Sequence, residues 1–284
     1  MKTIAFIDGS NYSASVCDHA AWLAEQLEIP IEVFHVLGRR SRDSQPADLS
    51  GSLKLGARTE LLDKLSKADE EWGKLAHARG RMILDEACER IRQKTSQDVV
   101  PRLRHDDFVD TVVSFEDDAR LVIIGKRGEA HGSAREHLGS NLERALRSTK
   151  KPVLVVNRDY KDIKSSVLAY DGSGSSDRAV DFIVNNPILR GTACHLVSVG
   201  DPNDTGMRAK QDAAAQKLTN AGLTATSEIR SGNAELMILD TVTAKNADML
   251  IMGAYGHSRV RNFIIGSTTT ALVRACKMPC LMFR

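Results

Sequence analysis

The chain repeats itself, and that fixes its domain count. Asp118-Ala-Arg-Leu-Val-Ile-Ile-Gly125 is echoed by Asn246-Ala-Asp-Met-Leu-Ile-Met-Gly253, and Ile7-Asp8-Gly9-Ser10 by Tyr170-Asp171-Gly172-Ser173. Arg147, Lys150, Pro152 and Leu154 return as Arg274, Lys277, Pro279 and Leu281. Each half opens with an apolar run ending in Asp-Gly-Ser and closes with an apolar run after a proline. Self-similarity on this scale predicts two copies of one domain, covering residues 1–157 and 165–284. The polar stretch 158–165 reads as their linker.

Within each copy, short apolar runs alternate with helical periodicity. In the first, strands are predicted at 3–7, 31–37, 99–104, 121–124 and 152–156. Helices are predicted at 13–27, 60–94, 106–114 and 138–148. Residues 39–52 are polar and turn-forming, which predicts a loop. Gly73 and Gly80 weaken the long helix and leave room for a break. In the second copy, strands are predicted at 167–170, 193–199, 224–229, 249–252 and 280–283. Helices are predicted at 176–185, 205–220, 234–243 and 267–276. Such alternation implies a parallel sheet with helices on both faces. From Asp8 to Gly125 the first copy is about 35 residues longer than the second from Asp171 to Gly253. The excess falls in the second crossover and predicts a helical hairpin or a lid there.

The most informative motif is Gly253-Ala-Tyr-Gly256, nine residues, then Gly266-Ser267-Thr268-Thr269. It joins a strand to a helix. Glycines let a ligand approach the backbone, and a helix N-terminus presents unpaired N–H groups that suit phosphate. A tight structural connection is the plainer reading of the same glycines. This G-x2-G-x9-G-S pattern resembles the nucleotide-binding motif of the universal stress protein family. With the repeats, the likeness extends over almost the whole chain, which is similar to a tandem pair of such domains. The resemblance implies an α/β fold: two tandem adenine-nucleotide α-hydrolase-like domains, each a five-stranded parallel sheet between helices. It also implies that the last strands pair antiparallel to form an internal pseudo-dimer, with a further homodimer open.

The resemblance further implies ATP as ligand, with or without Mg2+. In open α/β sheets ligands bind beyond the carboxyl ends of the strands. There Asp171 would meet the nucleoside end and Val199 would offer backbone groups to adenine. Gly256, Gly266 and Ser267 would hold phosphates, with Gly253 in the same site at the strand end and Thr269 adding a hydroxyl. Asp171 also reads as a turn or cap residue. His257, Arg259 and Arg261 read either as charge-neutralising or as solvated loop residues. The first copy departs from the pattern. Gly125-Lys-Arg-Gly128 and Gly139-Ser140 are present, but ten residues intervene, and Glu143 takes the place of Thr270. Asp8 and Val36 match the nucleoside positions, and Lys126 and Arg127 could favour a different anion.

Other chemistries find little support. There is no Walker A, GxGxxG or GxSxG sequence. Ser173-Gly-Ser-Ser-Asp177 approaches the SGGxDS loop of ATP pyrophosphatases, yet Ser175 and Arg178 break it, and helix capping accounts for it. The five cysteines are scattered and odd in number, which argues against a disulfide framework. A net charge of +2 makes no general case for nucleic acid. The opening apolar run is too short for a signal peptide and no later run could span a membrane, so a cytoplasmic location is expected. The sequence therefore predicts an ATP-binding stress-response protein acting through nucleotide state and unknown protein partners, more binder than enzyme. The alternative is an interaction scaffold without nucleotide.

Overall fold

The computed structural model describes residues 1–38, 55–128, 139–254 and 267–284. The first half runs β1 (Lys2–Ile7), α1 (Ser13–Leu27), β2 (Ile31–Val36), α2 (Leu55–Arg92), β3 (Val99–Arg104), α3 (Phe108–Phe115), β4 (Ala119–Gly125), α4 (Ser140–Ser148) and β5 (Val153–Val156). The second runs β6 (Ser165–Ala169), α5 (Gly174–Asn185), β7 (Ala193–Val199), α6 (Thr205–Asn220), β8 (Thr224–Arg230), α7 (Ala234–Ala244), β9 (Met249–Gly253), α8 (Ser267–Ala275) and β10 (Cys280–Phe283).

All ten strands join one sheet in the order β3-β2-β1-β4-β5-β10-β9-β6-β7-β8. Each half contributes five parallel strands, and the order reads as its own mirror about the centre. There β5 and β10 pair antiparallel, with Leu281 opposite Leu154. That pairing closes two apolar edges that would otherwise invite aggregation. Successive side chains point to opposite faces, so β1 sends Ala5 and Ile7 to one core and Ile4 and Phe6 to the other. The first core packs under α1, α2, α5 and α6, and the second under α3, α4, α7 and α8.

Cations cross the central seam. Lys126 Nζ donates to the carbonyls of Arg274 and Cys276, both at 2.8 Å, at the C-terminal end of α8. Arg284 donates to the Arg147 carbonyl at 2.6 Å, at the end of α4. Helix C-termini carry unpaired carbonyls and partial negative charge, so each half uses a cation to finish a helix of the other.

Most of the extra length of the first half is helix. α2 has 38 residues against 16 in its counterpart α6, and it runs through Gly73 and Gly80 without interruption. The expected hairpin is not what residues 55–92 form, and the expected loop at 39–52 lies outside the described residues. Gly80 marks a close approach, not a break. A Cβ there would lie 2.9 Å from Leu103 Cδ1 and 3.0 Å from His35 Cδ2. Among the described residues no helix is long and apolar enough to cross a membrane.

Candidate functional site

Each half ends its first strand in an Asp-Gly-Ser turn. Asp171 Oδ1 accepts from the Ser173 amide at 3.0 Å, and Asp8 Oδ1 accepts from the Ser10 amide at 3.0 Å. Between them Gly172 and Gly9 take φ of +68° and +78°, a conformation that excludes most side chains. Ser173 then caps α5, its Oγ accepting from the Ser176 amide at 3.4 Å. Asp177, the last position of the pyrophosphatase-like stretch, accepts from the Tyr170 hydroxyl at 2.7 Å. That stretch therefore serves as turn and cap.

In the second half a cavity of about 320 Å³ opens at the carboxyl ends of the strands. Asp171, Val199 and Gly253 line it from the sheet, and Ser267, Thr268 and Thr269 from the start of α8. Tyr170, Ala234, Ile238 and Met252 are among the residues of its walls. A Cβ on Gly253 would collide with Ser175 Oγ. Ser267 and Thr268 are exposed, whereas Thr269 is buried and donates its hydroxyl to the Ala254 carbonyl at 3.3 Å. Its donor is thus spent inside the fold, and the two exposed hydroxyls face the opening. Gly256 and Gly266 lie outside the described residues, as do His257, Arg259 and Arg261.

The first half repeats the arrangement with bulkier, aromatic side chains in its walls. Its cavity, about 720 Å³, is lined by Asp8, Val36, Gly125, Gly128 and Gly139, with Phe6, Tyr12, Phe108 and Leu142 between them. The second half has Ala169, Ser175, Ala234 and Thr269 at those four places. A Cβ on Gly125 would lie 2.8 Å from Tyr12 Cβ, and one on Gly128 would lie 2.8 Å from Asp8 Oδ2. Gly139 precedes α4, which begins at Ser140, and Asn141 reaches the cavity. Arg127 lines the cavity, but Lys126 turns away to the α8 carbonyls, which corrects its reading as an anion-holding residue. Burial in that seam lowers the Lys126 pKa.

Sequence reasoning missed Asp107, which caps α3 by accepting from the Val109 and Asp110 amides at 2.8 and 3.3 Å and also lines the first cavity. Burial pushes its carboxyl up, but Arg144 and the two amides outweigh this and hold it below the usual range. Its signal was there, because Asn233 caps α7 in the same way in the second half. The aromatic walls left no signal, since Phe6 and Phe108 read as ordinary core residues. His195 stands on β7 but does not line the cavity. Its Nδ1 lies 2.7 Å from Thr226 Oγ1, and its Nε2 lies 3.2 Å from Glu228. Burial lowers its pKa against the opposing pull of Glu228. Among the described residues no group of three or more His, Cys, Asp or Glu could hold a metal.

The arrangement suits a small ligand with a polar, anionic end. Both volumes fall in the range of about 300–1,000 Å³ common for ligand pockets. The positions where a side chain would obstruct the rim are glycine, and the exposed helix start offers N–H and hydroxyl donors.

Comparisons with known proteins agree on one family. A model described as the universal stress protein family matches residues 1–157 and 163–284. A curated universal stress protein of Synechocystis sp. is 34% identical over the full length of both chains. Another, from Mycolicibacterium smegmatis, is 23% identical over 66% of this chain and 69% of its own. Among solved structures, a universal stress protein from Archaeoglobus fulgidus covers the whole chain and 96% of its own, with a TM-score of 0.63 and 20% identity. That likeness concerns the fold.

Proposed function

We propose, from the premise that the chain belongs to the universal stress protein family, that it binds ATP at the rim of its second half and acts in stress responses through its nucleotide state. The observation that carries this reading is the convergence at one cavity of a strand-end glycine, an Asp-Gly-Ser turn and a helix opening with exposed hydroxyls. Asp171 and Val199 would hold the nucleoside, and Gly253 with Ser267 would stand at the phosphates, completed by Gly256 and Gly266. Bound Mg2+ would travel with the phosphates. Residues 1–157 and 165–284 are the two working units, the cytoplasm is their location, and protein partners read the bound state.

The first half favours a second reading at its own cavity. Phe6, Tyr12 and Phe108 supply planar apolar walls, while Leu142 and Glu143 stand where Thr269 and Thr270 stand in the second half. A carboxylate so close to the helix start would repel a triphosphate. Adenosine or another planar ligand with little phosphate suits that cavity better than ATP does.

Among the described residues neither cavity presents a histidine, and Asp8 and Asp171 are engaged in their turns. Turnover of Mg-ATP should therefore fall far below the ~10 per second typical of enzymes. Rapid, saturable hydrolysis that disappears in Asp171→Ala would overturn the binder reading. Mass spectrometry of ligand released from purified protein tests the ligand itself. ATP or ADP at up to one per chain is expected, and its absence even after incubation with ATP would contradict the proposal.

A further inference from the structure

Helix α2 has two apolar faces. Leu84, Ala87, Cys88 and Ile91 are buried against the body of the first half. Leu65, Trp72, Leu75 and Met82 are 44, 59, 61 and 72% exposed, and residues 63–76 are exposed throughout. At about 100° per residue, the second set lies on the side of the helix away from the first. Its spacing is that of a heptad seam: Leu65 and Trp72 fall at a, Leu75 and Met82 at d, Ala68 at the remaining d and Arg79 at the remaining a. So narrow a stripe is matched by another helix, not by a sheet or a broad groove.

We propose that α2 is a self-association surface, through which two copies of this chain pair as a short antiparallel two-helix coiled coil. The charges select the orientation. A parallel pair would set Arg79 against Arg79 in the seam. An antiparallel pair about a twofold between Gly73 and Lys74 sets Trp72 against Leu75 of the second copy, Leu65 against its Met82, and Arg79 against its Ala68. The same register brings Lys64, at a flanking g position, beside Asp85 at g of the second copy. Every contact is then returned by the twofold, and the assembly closes as a dimer.

Among the described residues the stripe is left exposed. The β5 and β10 edges are already paired with each other. A second copy must use another surface, and α2 supplies one with matching shape and charge.

Sedimentation velocity on the full-length chain from about 1 to about 100 µM tests this, a range in which short interfaces are populated. The species should move from 31.1 kDa towards twice that mass. Leu75→Lys should weaken dimerisation at least tenfold while leaving the melting temperature of the dilute, monomeric chain unchanged, because Leu75 is exposed in the monomer. Lys64→Asp and Asp85→Lys should each weaken it, and the double exchange should restore it. A chain that stays monomeric, or a dimer indifferent to Leu75→Lys, overturns the proposal. Failure of the double exchange to restore pairing overturns the antiparallel register.

Discussion

Gly253 is a packing requirement before it is a binding device, because a Cβ there would run into Ser175 Oγ at the start of α5. Gly253→Ala should cost about 1–3 kcal/mol, and adding Ser175→Gly should return most of it in thermal melts. If Gly253→Ala melts like the parent, that collision does not exist. Gly139 differs, since its nearest non-adjacent atoms would be 3.9 Å from a Cβ, and Gly139→Ala should stay within about 0.5 kcal/mol. Local chemistry of this kind was legible in the sequence. The Asp-Gly-Ser turns, the Ser173 cap and the glycine-bearing strand ends all depend on neighbours a few residues away. Lys126 was misread because its partners are carbonyls 148 and 150 positions along the chain. Asp107 was missed because its place at the rim depends on a loop and a helix meeting in space.

At the scale of elements, α1, β3, α6, β7 and β10 begin and end where periodicity places them, since each is bounded by turn or capping residues. The long α2 was harder to read. Helix propensity counts both of its inner glycines as weak points, yet their surroundings differ. Nothing lies within 4 Å of a Cβ at Gly73, whereas Gly80 lies against Leu103 and His35. Gly73→Ala should therefore stabilise by about 0.5–1 kcal/mol, and Gly80→Ala should destabilise. Melts in the same direction for both would contradict this account of the helix. The C-terminal part of α2 is tied to α1 by Asp18, which meets Arg90 at 2.7 Å and Lys94 at 2.9 Å. Burial raises the Asp18 carboxyl, but hydrogen bonds from Arg90 and Lys94 outweigh it and hold the pKa below its ordinary 3.8. A depressed folded-state pKa gives stability that is present above the unfolded value and lost as pH falls through the folded one. Asp18→Asn should therefore lower the melting temperature at pH 7, and the gap from the parent should close below about pH 4. A gap that does not narrow at all as pH falls from about 4 towards about 2 would mean the tie is not ionic.

At the scale of the whole molecule, the central fact is that the sheet's two apolar ends meet inside one chain. The family resemblance implied the pairing of β5 with β10, while the residues themselves showed only two apolar terminal strands in need of cover, and the cations that cross the seam were not legible. Either half expressed alone would expose its last strand. Residues 1–157 and 163–284 should each self-associate on a sizing column, and mixing them should yield the paired form. Monomeric, well-behaved halves would show that the seam contributes little. The two rims of the joined molecule are related in backbone and unlike in chemistry, and that contrast underlies the functional reading. Titration calorimetry with ATP on the full chain, alongside Gly266→Val and Gly139→Val, tests it most directly. The account predicts about one tight site per chain, lost in Gly266→Val and retained in Gly139→Val. Two equivalent sites, equal losses in both variants, or no heat of binding in the unmodified chain would contradict it.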